Sequence, residues 1–290
     1  MIQAEQSPAG LVVREPHGNL ELRALEDLQI DVWGFDAREA VPAAHFRAVQ
    51  HVGGMVLGAY LGERLVGFAY GFPALARDAW EEGIGIHSHM VGVGRGAQGV
   101  GVGRALKWAQ RTWCLERGIS WMSWTFDPIQ ARNARLNFHH LGARSHEYLV
   151  DFYGIMPGSL HGNLTSDRLL VFWDLRSRDV AARAERYAAG LGPEPAPLPA
   201  AAWTLQRGSN GEPQPVAAPG DGGALRVAVP EDANRLMRDD PPAAARWRMA
   251  VREAMAPAVA DGFVVSAFEG VGYLLERETT RGGTRSGTET

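Results

Sequence analysis

The stretch Val91-Gly-Val-Gly-Arg-Gly-Ala-Gln98-Gly-Val-Gly-Val-Gly-Arg104 decides how this chain folds. It joins a strand-like run, residues 84–93, to a helical pattern that continues to Glu116. Closely spaced glycines let the backbone approach a ligand, and the free N–H groups and dipole at a helix start attract phosphate. A flexible turn without a ligand is the alternative. Because glycines are costly to order, we expect a phosphate-containing ligand here.

Dinucleotide binding is the first alternative for this loop. Gly94, Gly96 and Gly99 spell the G-x-G-x-x-G pattern of dinucleotide-binding folds. That pattern needs an apolar first strand and an acidic residue about 20 positions later. Here His87 and His89 interrupt the strand, and a predicted antiparallel hairpin precedes it. No acidic residue ends a second strand at that distance, because the first candidate, Asp127, lies too far along. A dinucleotide-dependent oxidoreductase is therefore the less favoured interpretation.

Strand and helix patterns alternate on both sides of the loop. Leu20–Leu25 is predicted as a strand, residues 43–51 as a helix, and Met55–Tyr60 with Leu65–Phe72 as a hairpin. The helix after the loop has an apolar face and a second, cationic face formed by Arg104, Lys107 and Arg111. The fold class predicted is α/β, with a mixed, partly antiparallel sheet flanked by helices and splayed between its fourth and fifth strands.

The composition divides the chain into four parts. Residues 1–178 form the predicted main domain, and residues 179–223, rich in Pro, Ala and Gly, a linker. Residues 224–278 form a smaller C-terminal α/β extension, and the polar residues 279–290 a disordered tail. Leu225–Ala228 echoes Leu22–Leu25, so the extension is either a partial repeat of the main domain or an unrelated strand-helix-strand unit.

At this point the sequence resembles the GNAT superfamily of N-acyltransferases. The family signature Q/R-x-x-G-x-G/A is matched by Gln98–Gly103, and residues 134–142 resemble its second motif, a helix ending in Leu-Gly. Four stretches, His87–Met90 and residues 124–128, 132–134 and 166–168, are similar to a bacterial subgroup of predicted acetyltransferases. The similarity covers residues 84–174 well and the C-terminal extension loosely.

The resemblance implies acetyl-CoA or another acyl-CoA as co-substrate, without a metal. Its pyrophosphate would be held by the loop and helix start, and its pantetheine arm would pair with the preceding strand. An N–H near Met90 or Val91 would face the thioester oxygen. The residues expected to bind the cofactor are Met90, Val91, Val93, Gln98, Gly99, Gly101, Gly103, Arg104, Asn133 and Asn137.

Acylation of an amine requires a proton acceptor, and histidine has a suitable pKa. His87 and His89 alternate along one strand and are the predicted base candidates; hydrogen-bonded packing, or less favourably a metal pair, is the alternative. Asp127 is a further catalytic candidate and would bind a substrate ammonium. Arg168 would bind a carboxylate, with loop capping as the alternative for both. Many family members have a general-acid tyrosine where this chain has Phe138.

Composition limits the partners. With 29 basic and 33 acidic residues, the net charge of -4 gives no basic surface for nucleic acid. No run approaches the ~20 apolar residues of a membrane span, and no signal peptide is visible, so a cytoplasmic protein is expected. We expect transfer of an acetyl or succinyl-like group to a small primary amine, by direct attack. A non-catalytic acyl-CoA-binding module is the alternative, and a homodimer is left open.

Overall fold

A computed structural model describes residues 10–34, 36, 38–77, 83–154, 164–194, 197–217 and 223–278. The strands are β1 (Leu11–Arg14), β2 (Met55–Leu61), β3 (Arg64–Leu75), β4 (Ile84–Val93), β5 (Trp121–Phe126), β6 (Arg144–Leu149), β7 (Arg168–Asp174), β8 (Ala201–Arg207), β9 (Pro213–Pro215), β10 (Ala224–Ala228), β11 (Phe263–Glu269) and β12 (Gly272–Arg277). The helices are α1 (Gly18–Trp33), α2 (Ala43–His51), α3 (Val102–Glu116), α4 (Ala131–Ala134), α5 (Arg178–Ala188), α6 (Ala233–Asp239) and α7 (Pro241–Ala260). None of the helices in these ranges is both long and apolar enough to span a bilayer.

All described strands join one sheet, in the order β1-β2-β3-β4-β5-β7-β6-β11-β12-β10-β8-β9. Most neighbours are antiparallel, while β4–β5 and β10–β8 are parallel. The predicted hairpin is present as β2 and β3, which pair antiparallel from Met55 to Leu61. The predicted fold class, a mixed and partly antiparallel sheet with flanking helices, is therefore confirmed.

The sheet parts between β4 and β5. These two strands pair only at Ile86↔Met122 and His87↔Ser123, although β4 continues to Val93. Beyond those rungs the backbone edges of the two strands no longer meet. This is the predicted splay between the fourth and fifth strands, and it opens a slot at the end of β4 where the glycine-rich loop begins.

Two apolar cores cover opposite faces of the sheet. On one face α1 and α2 pack through Leu22, Leu25, Phe46 and Val49 against β2 and β3. The other face is covered by the larger core, which runs from α3 through α4 and α5 to α7 and β12. We refer to these as the α1–α2 face and the α3 face. Because the larger core is continuous, the N-terminal and C-terminal parts fold together.

The predicted strand Leu20–Leu25 is wrong. These residues lie in α1, which begins at Gly18. The first strand is β1, which begins seven residues earlier, at Leu11. Leu22, Leu25 and Leu28 are buried in α1 at a spacing of three residues, which is a helical period and not a strand period. The echo between Leu22–Leu25 and Leu225–Ala228 therefore compares a helix with a strand.

The predicted linker 179–223 contains regular structure. It includes nearly all of α5 as well as β8 and β9, and β8 pairs in parallel with β10. The C-terminal extension repeats the element order strand, two helices, two strands, but its strands lie in the order β10-β12-β11, whereas the first three lie in the order β1-β2-β3. This difference argues against a simple repeat. The tail predicted at residues 279–290 lies outside the described residues.

Candidate active site

A β-bulge in β4 sets the direction of its side chains. Tyr70 pairs with Met90 and Phe72 with His87, so Ser88 and His89 together oppose a single residue, Gly71. His87 and His89 both point to the α1–α2 face, where their ring centroids lie 6.3 Å apart. Each ring lies within 5.6 Å of the Phe72 ring. The bulge thus places two imidazoles side by side next to the slot.

Beyond the bulge, β4 presents backbone groups to the open slot. Gly94 N donates to Val66 O at 2.9 Å, which fixes Gly94 as a residue that faces β3. Because backbone groups alternate along an antiparallel ladder, Val93 and Val91 face away from β3, toward the slot. Gln98 Nε2 donates to Val93 O at 3.2 Å from that side. Val91 therefore offers its backbone to any chain that enters the slot.

The glycine-rich loop ends in an uncapped helix start. Gly99 and Gly101 have φ values of 83° and 94°, which a residue with a side chain rarely adopts. Gly101 is the N-cap of α3 and supplies no side-chain cap, and the first hydrogen bond of the helix is Ala105 N to Gly101 O at 3.0 Å. The N–H groups of the first turn are available to an anion, with the helix dipole behind them.

A parallel pair that splays, a glycine-rich loop at the open end and an uncapped helix start together form the arrangement that the sequence resemblance implies.

No protein-family model matches the chain, and no curated protein matches its sequence. Among solved structures, the chain is similar to the ribosomal-protein-S18-alanine N-acetyltransferase from Escherichia coli, with a TM-score of 0.44 and 14% identity over 58% of this chain and 95% of that one. It is similar to yncA of Salmonella typhimurium, described as an acetyltransferase with its cofactor acetyl-CoA, with a TM-score of 0.45 and 19% identity over 58% and 96%. It is also similar to Arabidopsis thaliana Naa50 in complex with the bisubstrate analogue CoA-Ac-MVNAL, with a TM-score of 0.43 and 12% identity over 57% of this chain and 98% of that one. Because these TM-scores are below 0.5, the functional interpretation rests on the geometry of the site itself.

A cationic side chain, Arg104, lies in the first turn of α3. The guanidinium carbon of Arg104 lies 5.3 Å from the ring centroid of Tyr187, and its buried Nε has no hydrogen-bond partner among the described residues. Burial is the main cause that lowers the pKa of His140 to about 4, and the nearby charge of Arg104 is the next. The loop and this cationic group together favour a ligand with several negative charges.

His87 and His89 differ in their surroundings. His87 Nδ1 lies 3.0 Å from Ser123 Oγ on β5, and burial, with smaller effects from His89 and Lys107, lowers its pKa to about 4. Burial also lowers the pKa of His89, with a further contribution from His45. Both imidazoles are therefore neutral at pH 7 and able to accept a proton. His87 is a weaker base than the sequence suggested, because it lies deeper.

Asp127 does not face a substrate. Its two carboxylate oxygens each accept a hydrogen bond of 2.6 Å from the Arg248 guanidinium on α7, and both side chains are buried, with 5% and 3% exposed. Asp127 Oδ1 also accepts from Ile129 N at 3.0 Å. The prediction that Asp127 binds a substrate ammonium is corrected, since both carboxylate oxygens bind Arg248 and anchor α7 to the end of β5, while its catalytic role stays a prediction.

Arg168 is also buried. Only 5% of it is exposed, its Nη1 donates to Asp167 O at 2.8 Å, and its guanidinium lies 5.3 Å from the Tyr153 ring centroid. Asp167 itself is held by Arg252 of α7 through two hydrogen bonds of 2.8 and 2.6 Å. The role of Arg168 in binding a carboxylate stays a prediction, and it requires that the substrate reach a largely enclosed guanidinium.

The two asparagines of the second motif lie in different places. Asn133 is exposed, so it stays a candidate for the pantetheine arm. Asn137 is buried, and its Oδ1 accepts from Trp124 Nε1 at 3.3 Å, so its role in binding the cofactor stays a prediction. Phe138 is buried between Phe126 and Tyr273, with ring centroids 6.0 and 5.8 Å away, and has no group that can donate a proton.

Lys107 was missed as a site residue. The helical pattern placed it on a cationic face with Arg104 and Arg111, but only 4% of Lys107 is exposed. A second stripe carried the missed signal, because Gly103, Lys107, Gln110 and Cys114 share one line along α3 and the last three are buried. The hydroxyl of Tyr153 lies 3.1 Å from Thr125 Oγ1 on β5, two residues beyond the last paired rung.

Proposed function

We propose that this protein is an acyl-CoA-dependent N-acyltransferase, which moves an acetyl or succinyl-like group to the primary amine of a small molecule. The observation that carries the proposal is the slot between β4 and β5, which has Val91 at its edge and the uncapped start of α3 at its mouth. A pantetheine arm is an extended chain with amides, and it can pair with the free edge of β4 as an added strand. Its pyrophosphate then reaches the loop and Arg104.

The acceptor amine would enter from the α1–α2 face. There His87, His89, Tyr70 and Phe72 form one group of rings, with Tyr70 and His89 centroids 5.9 Å apart. Aromatic faces attract an ammonium, and a neutral imidazole can take its proton before attack. His45 Nε2 holds the Tyr70 hydroxyl at 2.7 Å, which orients this ring. The attack on the thioester is direct, without a covalent enzyme intermediate.

Two measurements test the proposal. Titration calorimetry with CoA, acetyl-CoA, succinyl-CoA and NAD should show binding of the CoA compounds only. Release of free thiol from acetyl-CoA or succinyl-CoA in the presence of a panel of small amines should then show turnover. Binding of NAD instead of CoA would indicate the oxidoreductase, and absence of both would remove the proposal.

A non-catalytic acyl-CoA-binding module is the second candidate. The observation that favours it is Phe138, which is 2% exposed and cannot protonate a departing thiolate. This candidate predicts CoA binding of ordinary affinity with no thiol release from any amine. The same thiol-release assay therefore separates the two.

A further inference from the structure

Lys107 lies at the apex of the splay. Its Nζ donates to Ser88 Oγ on β4 at 3.1 Å and lies 3.6 Å from the ring centroid of Trp124 on β5. Ser88 and Trp124 are the first residues beyond the last paired rung, His87↔Ser123. A nitrogen in contact with both strands at this level closes the inner end of the slot, on the α3 face.

The surroundings of Lys107 hold few compensating charges. No carboxylate forms an ion pair with it in the described ranges. Ser88 Oγ also accepts from Gln110 Nε2 at 2.9 Å, and the titratable groups nearby are Cys114 on α3 and His87 across β4. Burial lowers the pKa of Lys107 from 10.5 to about 7, against a small opposing effect of Cys114. The amine therefore exchanges its proton near neutral pH.

Resting on the proposed acyl transfer, we propose that Lys107 donates the proton to the departing CoA thiolate, a role for which Phe138 supplies no hydroxyl. The acceptor nitrogen forms a bond to the thioester carbon, the carbon–sulfur bond breaks, and its electron pair leaves on sulfur. Lys107 Nζ gives one proton to that sulfur and becomes a neutral amine. The acceptor ammonium loses one proton to an imidazole on the α1–α2 face before attack and a second proton to water once its bond to the thioester carbon has formed. One of these two protons returns to Lys107 through water, and the other is released to solvent.

The direction of this proton transfer is favourable. A cysteine thiol has a pKa of about 8.5, and an exposed lysine one of about 10.4, so an ordinary lysine would hold its proton against a thiolate of this kind. Burial at the apex makes Lys107 the stronger acid of the pair. The position of the residue and its chemistry thus agree, since proton donation is needed where the sulfur of an arm in the slot would end.

The test compares Lys107→Met and Lys107→Gln with Arg111→Met. Arg111 lies one turn further along α3, and its Nε donates to Leu175 O, away from the slot. In both Lys107 variants we expect CoA affinity within about threefold of the wild type by calorimetry, because the phosphates bind elsewhere. We expect kcat to fall on the order of 10²-fold with an unchanged KM, as for loss of a general acid. The Arg111 variant should keep both constants.

The pH profile gives the readout that a structural role would not change. A proton donor is lost as pH rises through its pKa, so kcat of the wild type should fall on the alkaline side, and this limb should be absent in both Lys107 variants. An unchanged kcat, or an alkaline limb that persists in a folded variant, would overturn the role of Lys107 and leave the acyltransferase proposal intact. A wild type that binds CoA but releases no thiol would overturn both.

Discussion

Replacement of Arg248 by Met tests whether the C-terminal helix α7 is held by its buried ion pair with Asp127. The two hydrogen bonds of 2.6 Å would be lost, and the carboxylate would remain buried with Ile129 N, at 3.0 Å, as its hydrogen-bond donor. Removal of one partner of a buried pair typically costs about 3 to 5 kcal/mol, because the other charge is left uncompensated. We expect the free energy of unfolding, measured by urea denaturation at pH 7, to fall by that amount.

The matched variants are Asp127→Asn and the double variant Asp127→Asn/Arg248→Met. The double variant has no buried charge to leave unpaired, so we expect it to recover most of the stability that Arg248→Met loses. The double variant also tests the role of Asp127. If this carboxylate is structural and not catalytic, the double variant should still release thiol. A loss of less than about 1 kcal/mol in Arg248→Met, or an inactive but folded double variant, would refute this reasoning.

Four further outcomes are expected. Arg104→Met should weaken CoA binding at least 10-fold, because a hydrogen bond to a charged group contributes about 1.5–3 kcal/mol. If calorimetry at low salt shows equal affinity for the variant and the wild type, Arg104 is not part of the site. His87→Ala and His89→Ala should each keep CoA affinity and lower kcat. Since His87 has a pKa of about 4, an enzyme that uses it as the base loses activity only as pH falls toward 4. A fall of wild-type kcat nearer pH 6.5 would assign the role of the base to another group. Lys107→Met should raise the free energy of unfolding at pH 6, because it removes a buried charge. Between about pH 7 and 10.5 the unfolded wild type keeps a proton that the folded wild type releases. The stability of the wild type should therefore rise with pH through that window, by up to the order of 5 kcal/mol, while that of the variant should not. A chain that ends at Gly190 should be insoluble or unfolded, because it loses β11, the partner of β6, and a soluble, active product would show that the C-terminal part is dispensable.

The local parts of the fold were readable from the sequence. The hairpin β2–β3, the strand β4 and the glycine-rich loop each carry their signal within a dozen residues, as alternation or as dense glycine. The start of the chain was misread because Leu20–Leu25 is short, and a short apolar run fits both a helix and a strand. The linker was misread because proline-rich composition does not exclude an edge strand such as β9.

The sequence predicted only those parts of the candidate site that are formed by backbone groups. The loop and the free edge of β4 follow from glycines and strand order, which the sequence shows. The partners of Asp127 do not, because Arg248 lies 121 residues away and no periodic pattern links the two. An aspartate at the end of a strand is equally suited to a substrate ammonium and to an arginine of the same chain, and only the tertiary structure distinguishes them.

The two faces of the sheet divide the chemistry of the proposed reaction. His87 and Lys107 flank the same short segment of β4 from opposite faces, and the charge of Lys107 lowers the pKa of His87 less than burial does. An amine that arrives on the α1–α2 face meets a neutral imidazole, and a thiolate that leaves on the α3 face meets a buried ammonium. Because the attacking nitrogen and the departing sulfur are two different substituents of the tetrahedral carbon, a proton acceptor on one face of β4 and a proton donor on the other can each serve one of them. The double variant His87→Lys/Lys107→His exchanges the two groups between the faces of β4. We therefore expect no turnover from this variant, and turnover would show that the two faces are equivalent.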